Sequence, residues 1–418
     1  MARTNRPNII FIMSDDHAAH AMSCYNSRVN KTPNLDRIAD EGMRLENCFC
    51  TNSICTPSRA TILTGKYSHI NGAITFNPPD PVHATFPQIL RNAGYYTAIV
   101  GKWHLLTEPA GFDYWNVLPG QGKYFDPDFI EMGRNKAYQG YVTDITMDIS
   151  LDILRNRPEG QPFCLLCHNR APHDPWSSDK KHAHLFENED IPEPLNLFDD
   201  YATRSEAIKA SKQVIGVGGH TTYEERTGHI KDPVERKKAQ YQIYMKSYLR
   251  CVASIDDNAG RILDYLDETG LADNTIVIYT SDQGFFLGDH GWYDKRFMYE
   301  ESLRMPFIVR YPDKIKAHGI DEHLIANIDF APLFLDYAGI PVPDDMQGHS
   351  FRHFLEDSEA PCWRESVYYR YYYSHFGTPA HWGLRTQTHK LIYYHDSDEW
   401  ELYDLIEDPM EMKGEFRP

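Results

Sequence analysis

The sequence lacks the features that place a protein in a membrane or on a nucleic acid. It has no apolar run long enough to span a bilayer and no signal-peptide core with a cleavage site. It also lacks a basic excess: its net charge is −18 at pH 7, which argues against a general nucleic-acid surface. We therefore expect no membrane or nucleic-acid partner, and a chain that is cytoplasmic as given, or periplasmic or secreted if a leader was removed.

Cysteine is sparse, and no arrangement of it suggests a disulfide scaffold. The eight cysteines are scattered along 418 residues, a length at which a chain buries a sufficient core without cross-links. Cys164 and Cys167 have redox-pair spacing, but they lie in a strand-like apolar run, and no second pair completes a zinc site. Internal repeats and low-complexity tracts are also absent.

Apolar runs of strand length alternate with helical patterns along most of the chain. This alternation predicts an α/β fold: a large, mainly parallel sheet with helices on both faces. Short aromatic-rich runs after residue 360 predict a small antiparallel sheet. We therefore predict a large domain over residues 1–360 and a C-terminal β lobe, possibly truncated, over 361–418. The predicted strands of the large domain cover residues 8–14, 43–49, 95–100, 162–167, 274–279 and 307–310.

Polar side chains follow four of the predicted strands. In a parallel sheet these positions meet at the edge where ligands bind. Three carboxylates brought together repel one another unless a cation lies between them, and oxygen ligands favour Ca²⁺ or Mg²⁺. Lysines and histidines there would serve an anionic group and proton transfer. The residues at these strand ends are Asp15, Asp16, Lys102, His104, His173, Asp282 and Gln283.

Cys55 stands at the start of a predicted helix. Thr56 and Pro57 are typical of a helix N-terminus, and Gly65 is typical of the position after its end. Cys55 would then lie where backbone N–H groups and the helix dipole favour an anion. A lone cysteine is more often structural, but the residues that follow favour a functional one.

The string Cys55-Thr56-Pro57-Ser58-Arg59, continued to Gly65, resembles the signature of the type I sulfatases of the alkaline phosphatase superfamily. The resemblance runs from Asn8 to about Asp408 and is nearest to bacterial glycan sulfatases of the N-acetylglucosamine-6-sulfatase and iduronate-2-sulfatase branches. The sequence departs from the family at Gln283, where Asn or His is more usual, and ends where many relatives continue. Other matching motifs are Asp15-Asp16, Gly101-Lys102-Trp103-His104, Ala171-Pro172-His173, Thr280-Ser281-Asp282-Gln283-Gly284, and Lys295 by its spacing to Tyr299 and Glu300.

The resemblance implies a complete set of roles. A formylglycine-generating enzyme would oxidise Cys55 to formylglycine, whose hydrate attacks sulfur. Ca²⁺, or alternatively Mg²⁺, would be bound by Asp15, Asp16, Cys55, Asp282 and Gln283. Arg59 would hold the nucleophile, Lys102 and Lys295 would bind sulfate, His173 would protonate the leaving alcohol, and His104 would help to expel sulfate. Predicted substrate contacts are His69, Asn71, His290 and His381.

The predicted function is a sulfuric ester hydrolase that removes sulfate from a sulfated carbohydrate through the formylglycine made from Cys55, and the expected partner is a sulfated saccharide or another sulfate ester. Two alternatives stay open. One is a phosphodiesterase or phosphonate monoester hydrolase with the same site, which the relative turnover of aryl sulfates and aryl phosphate diesters would separate. The other is a catalytically silent glycan-binding homologue, which the mass of the Cys55 peptide from the native host would test.

Overall fold

The computed structural model describes residues 6–217, 219–358 and 362–417. Its strands, in chain order, are β1 Asn8–Ser14, β2 Met43–Leu45, β3 Cys48–Phe49, β4 Tyr96–Lys102, β5 Tyr114–Leu118, β6 Asp128–Glu131, β7 Arg134–Ala137, β8 Phe163–His168, β9 Thr275–Ser281, β10 Phe286–Leu287, β11 Tyr293–Asp294, β12 Phe307–Arg310, β13 Gly319–Asp321, β14 Ile325–Ala326, β15 Ser366–Tyr371, β16 His381–Thr386, β17 His389–Tyr394, β18 Glu399–Asp404 and β19 Glu415–Arg417. Its helices are α1 Pro33–Asp40, α2 Cys55–Thr64, α3 Ser68–Asn71, α4 Phe86–Asn92, α5 Val142–Asn156, α6 Glu206–Lys209, α7 Glu224–Thr227, α8 Pro233–Glu268, α9 Glu300–Leu303, α10 Phe330–Tyr337 and α11 Arg352–Leu355.

A ten-stranded sheet in the order β13-β2-β12-β9-β1-β8-β4-β5-β6-β7 forms the centre of the molecule. The five strands from β9 to β5 in this order are parallel, so their carboxyl ends share one edge. β12 runs antiparallel to β9 and β2, and β6 and β7 extend the other side as antiparallel strands. The predicted fold class, a large and mainly parallel sheet, is confirmed.

Helices cover both faces of this sheet, which explains why β1 is apolar at nearly every position rather than at alternate ones. Ile10 packs in one core with Leu35 of α1 and with residues of α5 and α8. Phe11 faces the opposite side, where it contacts Phe330 of α10 with ring centroids 6.3 Å apart. All seven residues of β1 are buried.

Helix α8 is the longest helix, with 36 residues. The carboxylate of Asp232 caps it by accepting hydrogen bonds from the N–H groups of Val234 and Glu235 at 2.9 and 3.0 Å, and Pro233 occupies its first turn. Despite this length, no helix within the described ranges is apolar enough to cross a membrane.

The segment 43–49 differs from the single predicted strand. It divides into β2, which joins the central sheet, and β3, which pairs with β14 in a separate two-stranded sheet. The partner changes between Glu46 and Asn47: Glu46 N–H donates to the Asp321 carbonyl of β13 at 2.8 Å, whereas the Asn47 carbonyl accepts from Ile325 N–H of β14 at 2.9 Å. Pairing with distant residues therefore ends the first strand, and local sequence cannot indicate this.

A five-stranded antiparallel sheet, β15 to β19 in sequence order, forms the C-terminal part. Its first strand packs against the segment that precedes Cys55, where Arg370 N–H donates to the Thr51 carbonyl at 3.0 Å. The hydroxyl of Tyr369 accepts from Ser53 N–H at 3.1 Å and donates to the Arg296 carbonyl. The predicted antiparallel sheet is therefore confirmed, while the boundary at residue 360 stays a prediction.

Candidate active site

Cys55 is the first residue of α2, all ten residues of which are buried. Gly65 ends the helix with a left-handed φ of 64°, and its N–H donates to the Thr61 carbonyl at 2.9 Å. The hydroxyl of Thr56 donates to the His104 carbonyl at 2.8 Å, which ties the start of α2 to the segment after β4. Burial raises the pKa of the Cys55 thiol to about 11, so an unmodified sulfur stays protonated near neutral pH and is a weak nucleophile.

Three buried carboxylates meet beside Cys55. Oxygen atoms of Asp15, Asp16 and Asp282 all lie within 4.8 Å of one another, and ligand atoms of Cys55 and His173 lie within 4.8 Å of Asp15 and of each other. The strand-end residues of β1 and β9 therefore converge as the topology predicts.

The turn that carries Asp16 is held in an uncommon conformation. Asp16 has a left-handed φ of 67°, which non-glycine residues seldom adopt. The buried hydroxyl of Tyr248 in α8 donates to the Asp16 carbonyl at 2.7 Å and accepts from Ala18 N–H at 2.9 Å. Tyr248 thereby fixes the backbone on both sides of His17 and sets the direction of the Asp16 carboxylate.

Three cationic side chains neutralise the three carboxylates. Burial raises the pKa of Asp282, but the charges of Arg59, Lys102 and Lys295 outweigh it, so its pKa lies below the ordinary value. Burial raises the pKa of Asp16, with Lys295 opposing that shift. Each carboxylate has a different nearest cation: Lys102 Nζ contacts Asp15, Lys295 Nζ contacts Asp16, and Arg59 Nη2 lies 2.9 Å from an Asp282 oxygen and 3.9 Å from an Asp15 oxygen.

The donor set fits a hard divalent cation. Oδ1 of Asp15 and Oε1 of Gln283 are buried oxygens without a hydrogen-bond partner in the described part of the chain. The Gln283 amide nitrogen donates to Asp16, which leaves its oxygen as the atom able to bind a metal. Carboxylate and amide oxygens are the ligands that Ca²⁺ and Mg²⁺ prefer. These residues could therefore hold either ion.

Two histidines complete the cluster. Nε2 of His173 lies 3.8 Å from an Asp16 oxygen, and its Nδ1 lies 2.9 Å from an oxygen of Asp174. His104 has a buried Nδ1 without a hydrogen-bond partner among the described residues. Burial lowers the pKa of both rings, and the charge of Lys102 lowers it further, so both are neutral near pH 7.

Several residues that sequence reasoning did not single out line this site. The side-chain amide oxygen of Gln121, Oε1, accepts from Lys102 Nζ. His168 Nδ1 lies 3.2 Å from the Lys102 carbonyl and 3.5 Å from Arg59 Nη1. β4 and β8 approach so closely here that a Cβ at Gly101, whose φ is 95°, would lie 2.0 Å from the His168 carbonyl oxygen. His168 could have been found as the last residue of a buried strand.

Asp294 and Arg296 flank Lys295 and form an ion pair with each other. Both have left-handed φ values, 74° and 91°. Uncommon backbone conformations on both sides of a buried lysine indicate a segment shaped for function. The Arg296 guanidinium lies over Phe376, 5.3 Å from the ring centroid. In the sequence, the position of these two residues next to Lys295 is the signal that could have identified them.

The four predicted substrate contacts have different environments. His69 is exposed, with Nδ1 3.1 Å from the Tyr372 hydroxyl. The other three are fully buried. Asn71 donates to the Lys66 carbonyl at 2.9 Å, His290 Nδ1 lies 2.9 Å from Asp199, and His381 Nδ1 lies 2.8 Å from the Pro379 carbonyl. Each of these three makes a hydrogen bond inside the protein, and their contact with substrate stays a prediction.

Comparison with known proteins gives matches over nearly the whole chain. The sulfatase family model matches residues 7–340, and the model for the C-terminal part of N-sulphoglucosamine sulphohydrolase matches residues 288–417. An N-acetylglucosamine-6-O-sulfatase of Bacteroides thetaiotaomicron is 45% identical over an alignment of 469 positions, gaps included, which covers 99% of this chain and 83% of that protein. An arylsulfatase of Clostridium perfringens is 27% identical, and the alignment covers 97% of this chain and 89% of that protein.

Solved structures match as well. One protein, solved in complex with its substrate D-glucosamine-2-N,6-O-disulfate, superposes with a TM-score of 0.93 at 44% identity and covers 98% of this chain and 93% of its own. The phosphonate monoester hydrolase of Agrobacterium radiobacter superposes with a TM-score of 0.76 at 21% identity, and the match covers 98% of this chain and 91% of that protein. The second match shows a shared fold alone.

Proposed function

The chain belongs to the sulfatase family, and we propose that it removes the 6-O-sulfate group from glucosamine units of a sulfated carbohydrate. The observation that carries this proposal is the convergence on Cys55 of three carboxylates and three cations at one edge of the sheet. The 45% identical relative is named for 6-O-desulfation of N-acetylglucosamine, and the 44% identical structure contains a 6-O-sulfated, N-sulfated glucosamine. A glucosamine bearing sulfate on O6 is common to both.

The site needs two additions for this reaction. We propose that a formylglycine-generating enzyme converts Cys55 to formylglycine, whose hydrated aldehyde supplies the nucleophile for sulfur. We further propose that Asp15, Asp16, Asp282 and Gln283 hold Ca²⁺, with Mg²⁺ as the alternative, to offset the charge of the sulfate oxygens.

The protein's own side chains bind and orient the ester. Lys102 and Lys295 are proposed to turn from their carboxylate partners to the sulfate oxygens, since both can contact either anion as point charges. Arg59 stays paired with Asp282 and faces residue 55 from one turn further along α2. His173 donates a proton to the leaving alcohol, and His104 assists the release of sulfate.

Sugar recognition is proposed for the segment around Lys295. Asp294 offers an acceptor and Arg296 offers donors, so one sugar hydroxyl can bond to both. Exposed His69 is proposed as a further contact with the sugar. We propose packing roles for Asn71, His290 and His381, because the Asn71 amide and the Nδ1 atom of each histidine bond within the protein.

Released sulfate provides the test. The protein, co-produced with a formylglycine-generating enzyme and supplied with Ca²⁺, is incubated with glucosamine carrying sulfate on O6, with N-acetyl or N-sulfate on nitrogen. Controls are the C4 epimer N-acetylgalactosamine-6-sulfate, glucosamine-2-N-sulfate without a 6-sulfate, and an aryl phosphate diester. We expect sulfate release from the 6-O-sulfated glucosamines and none from the Cys55→Ala variant. Faster turnover of the phosphate diester would contradict the proposal in favour of phosphodiester hydrolysis, and faster release from the epimer would contradict the sugar assignment.

A further inference from the structure

Side-chain hydrogen bonds hold the backbone of His173 in the turn after β8. Arg170 Nη1 donates to the His173 carbonyl at 3.0 Å, and Nη2 donates to the Asp174 carbonyl at 2.9 Å. The hydroxyl of Tyr124 donates to the same His173 carbonyl at 2.7 Å, and the Arg170 guanidinium lies 4.0 Å from the Tyr124 ring centroid. These bonds fix the backbone of both His173 and Asp174.

The His173 ring is bound asymmetrically. Its Nδ1 lies 2.9 Å from a carboxylate oxygen of Asp174 and 2.8 Å from the Asp174 carbonyl, both of which are acceptors. Nδ1 must therefore carry a hydrogen, and Nε2 faces the Asp16 side of the site at 3.8 Å. The second oxygen of Asp174 lies 3.5 Å from Nε2 of His220, a mostly exposed residue. Burial raises the pKa of Asp174, but the hydrogen bond and charge of His173 outweigh it, so the carboxylate is ionised near neutral pH.

We propose that Asp174 is a positioning residue that acts through His173; this rests on the proposed function, in which His173 protonates the leaving alcohol. The carboxylate keeps the Nδ1 hydrogen in place, which directs Nε2 at the substrate, and its negative charge stabilises the ring when both nitrogens carry hydrogens. The neutral ring first takes up a proton from solvent on Nε2. As the hydrate oxygen of residue 55 bonds to sulfur and the sulfur–oxygen bond of the ester breaks, the electron pair of that bond remains on the sugar oxygen, and Nε2 transfers its proton to that oxygen. The alcohol leaves, and the ring returns to the neutral form with hydrogen on Nδ1.

The alternative is that Asp174 only stabilises the turn. A double-mutant cycle separates the two, because a residue that acts through His173 has nothing to act on once that ring is removed. Asp174→Asn and Asp174→Ala are made in the wild-type and His173→Ala backgrounds, and kcat and KM are measured with 6-O-sulfated N-acetylglucosamine on the Ca²⁺-loaded, Cys55-modified protein.

We expect Asp174→Asn to lower kcat by about 10- to 100-fold in the wild-type background, a part of what general acid catalysis contributes, with KM within about threefold. In the His173→Ala background the same change should alter kcat less than about twofold. Asp179→Asn is the matched control, since Asp179 pairs with His182 at 2.8 Å outside the site. It should leave kcat unchanged.

Equal losses in both backgrounds, no loss in the wild-type background, or an equal loss in Asp179→Asn would each overturn the role of Asp174. Failure of the proposed function looks different. A wild-type protein that releases no sulfate would refute the reaction, and full activity of His173→Ala would refute its role as the acid, whatever the Asp174 variants do.

Discussion

We expect Ca²⁺ and inorganic sulfate to strengthen each other's binding to the Cys55 site. The buried carboxylates of Asp15, Asp16 and Asp282 face three cations, so the cluster is close to neutral. Ca²⁺ alone would add two positive charges to this buried site, and a sulfate dianion would cancel both. Each ion therefore removes the main electrostatic cost of binding the other.

The interaction energy of the charges sets the size of this effect. Two unit charges 4 Å apart interact by about 4 kcal/mol at an effective dielectric constant of 20, and rearrangement of Lys102 and Lys295 reduces the net gain. Coupling between two sites is typically about 1–3 kcal/mol, so we expect saturating sulfate to lower the Kd of Ca²⁺ by about 5- to 150-fold. By reciprocity, Ca²⁺ should tighten sulfate by the same factor.

Calorimetric titration of Ca²⁺ in chloride and in sulfate at equal ionic strength measures the coupling. Lys102→Met should reduce it, because the variant removes a proposed sulfate contact and unbalances Asp15. Lys123→Met is the matched control, since this lysine pairs with Asp128 at an exposed position. An unchanged Kd in sulfate would refute the reasoning, and an equal loss of coupling in both lysine variants would show that bulk charge, not the site, is responsible.

Three further predictions concern single residues. Cys55→Ala should abolish sulfate release with little change in unfolding temperature, and the Cys55 peptide of active protein should have the mass of an aldehyde; a thiol mass in fully active protein would contradict the proposed nucleophile. Tyr248→Phe removes both hydrogen bonds around Asp16, so we expect the free energy of unfolding to fall by about 1–3 kcal/mol and Ca²⁺ to bind more weakly. An unchanged Ca²⁺ affinity would show that the Asp16 turn keeps its conformation without Tyr248. Burial raises the pKa of Glu301 to about 7 from an ordinary 4.5, so its ionisation destabilises the folded state and the free energy of unfolding falls as pH rises between these values. Glu301→Gln should remove up to about 3 kcal/mol of that fall, measured by denaturant unfolding at pH 5 and 8, and identical profiles would contradict it.

The strand-end residues were predictable because burial on both faces leaves a clear mark in sequence. The apolar run of β1 ends at Asp15, and the run of β9 ends at Asp282, so topology alone places both carboxylates at one edge. Lys295 was different: it lies in an irregular segment between β11 and α9, and only its resemblance to a family motif pointed to it. Hydrophobic periodicity gives no information on such segments.

Contacts between distant segments account for what sequence could not provide. The β6–β7 extension of the sheet consists of two four-residue strands, one of them entirely exposed, so it has no apolar pattern to detect. Gln121 contacts Lys102 from the loop after β5, and Nδ1 of His290 pairs with the buried side chain of Asp199. In each case the partner is set by tertiary packing that a single sequence does not encode locally.

The backbone hydrogen bond from Arg370 to Thr51 connects the last fifth of the chain to the first fifth, close to Cys55. During synthesis, residue 55 emerges long before β15 does, and α2 cannot reach its final burial until β15 packs over the preceding segment. An enzyme that must reach the Cys55 side chain, which is 1% exposed in the folded protein, therefore has to act while the chain is still incomplete or unfolded. If Cys55 is modified as proposed, the interval between the synthesis of residue 55 and that of β15 sets the time available for the modification.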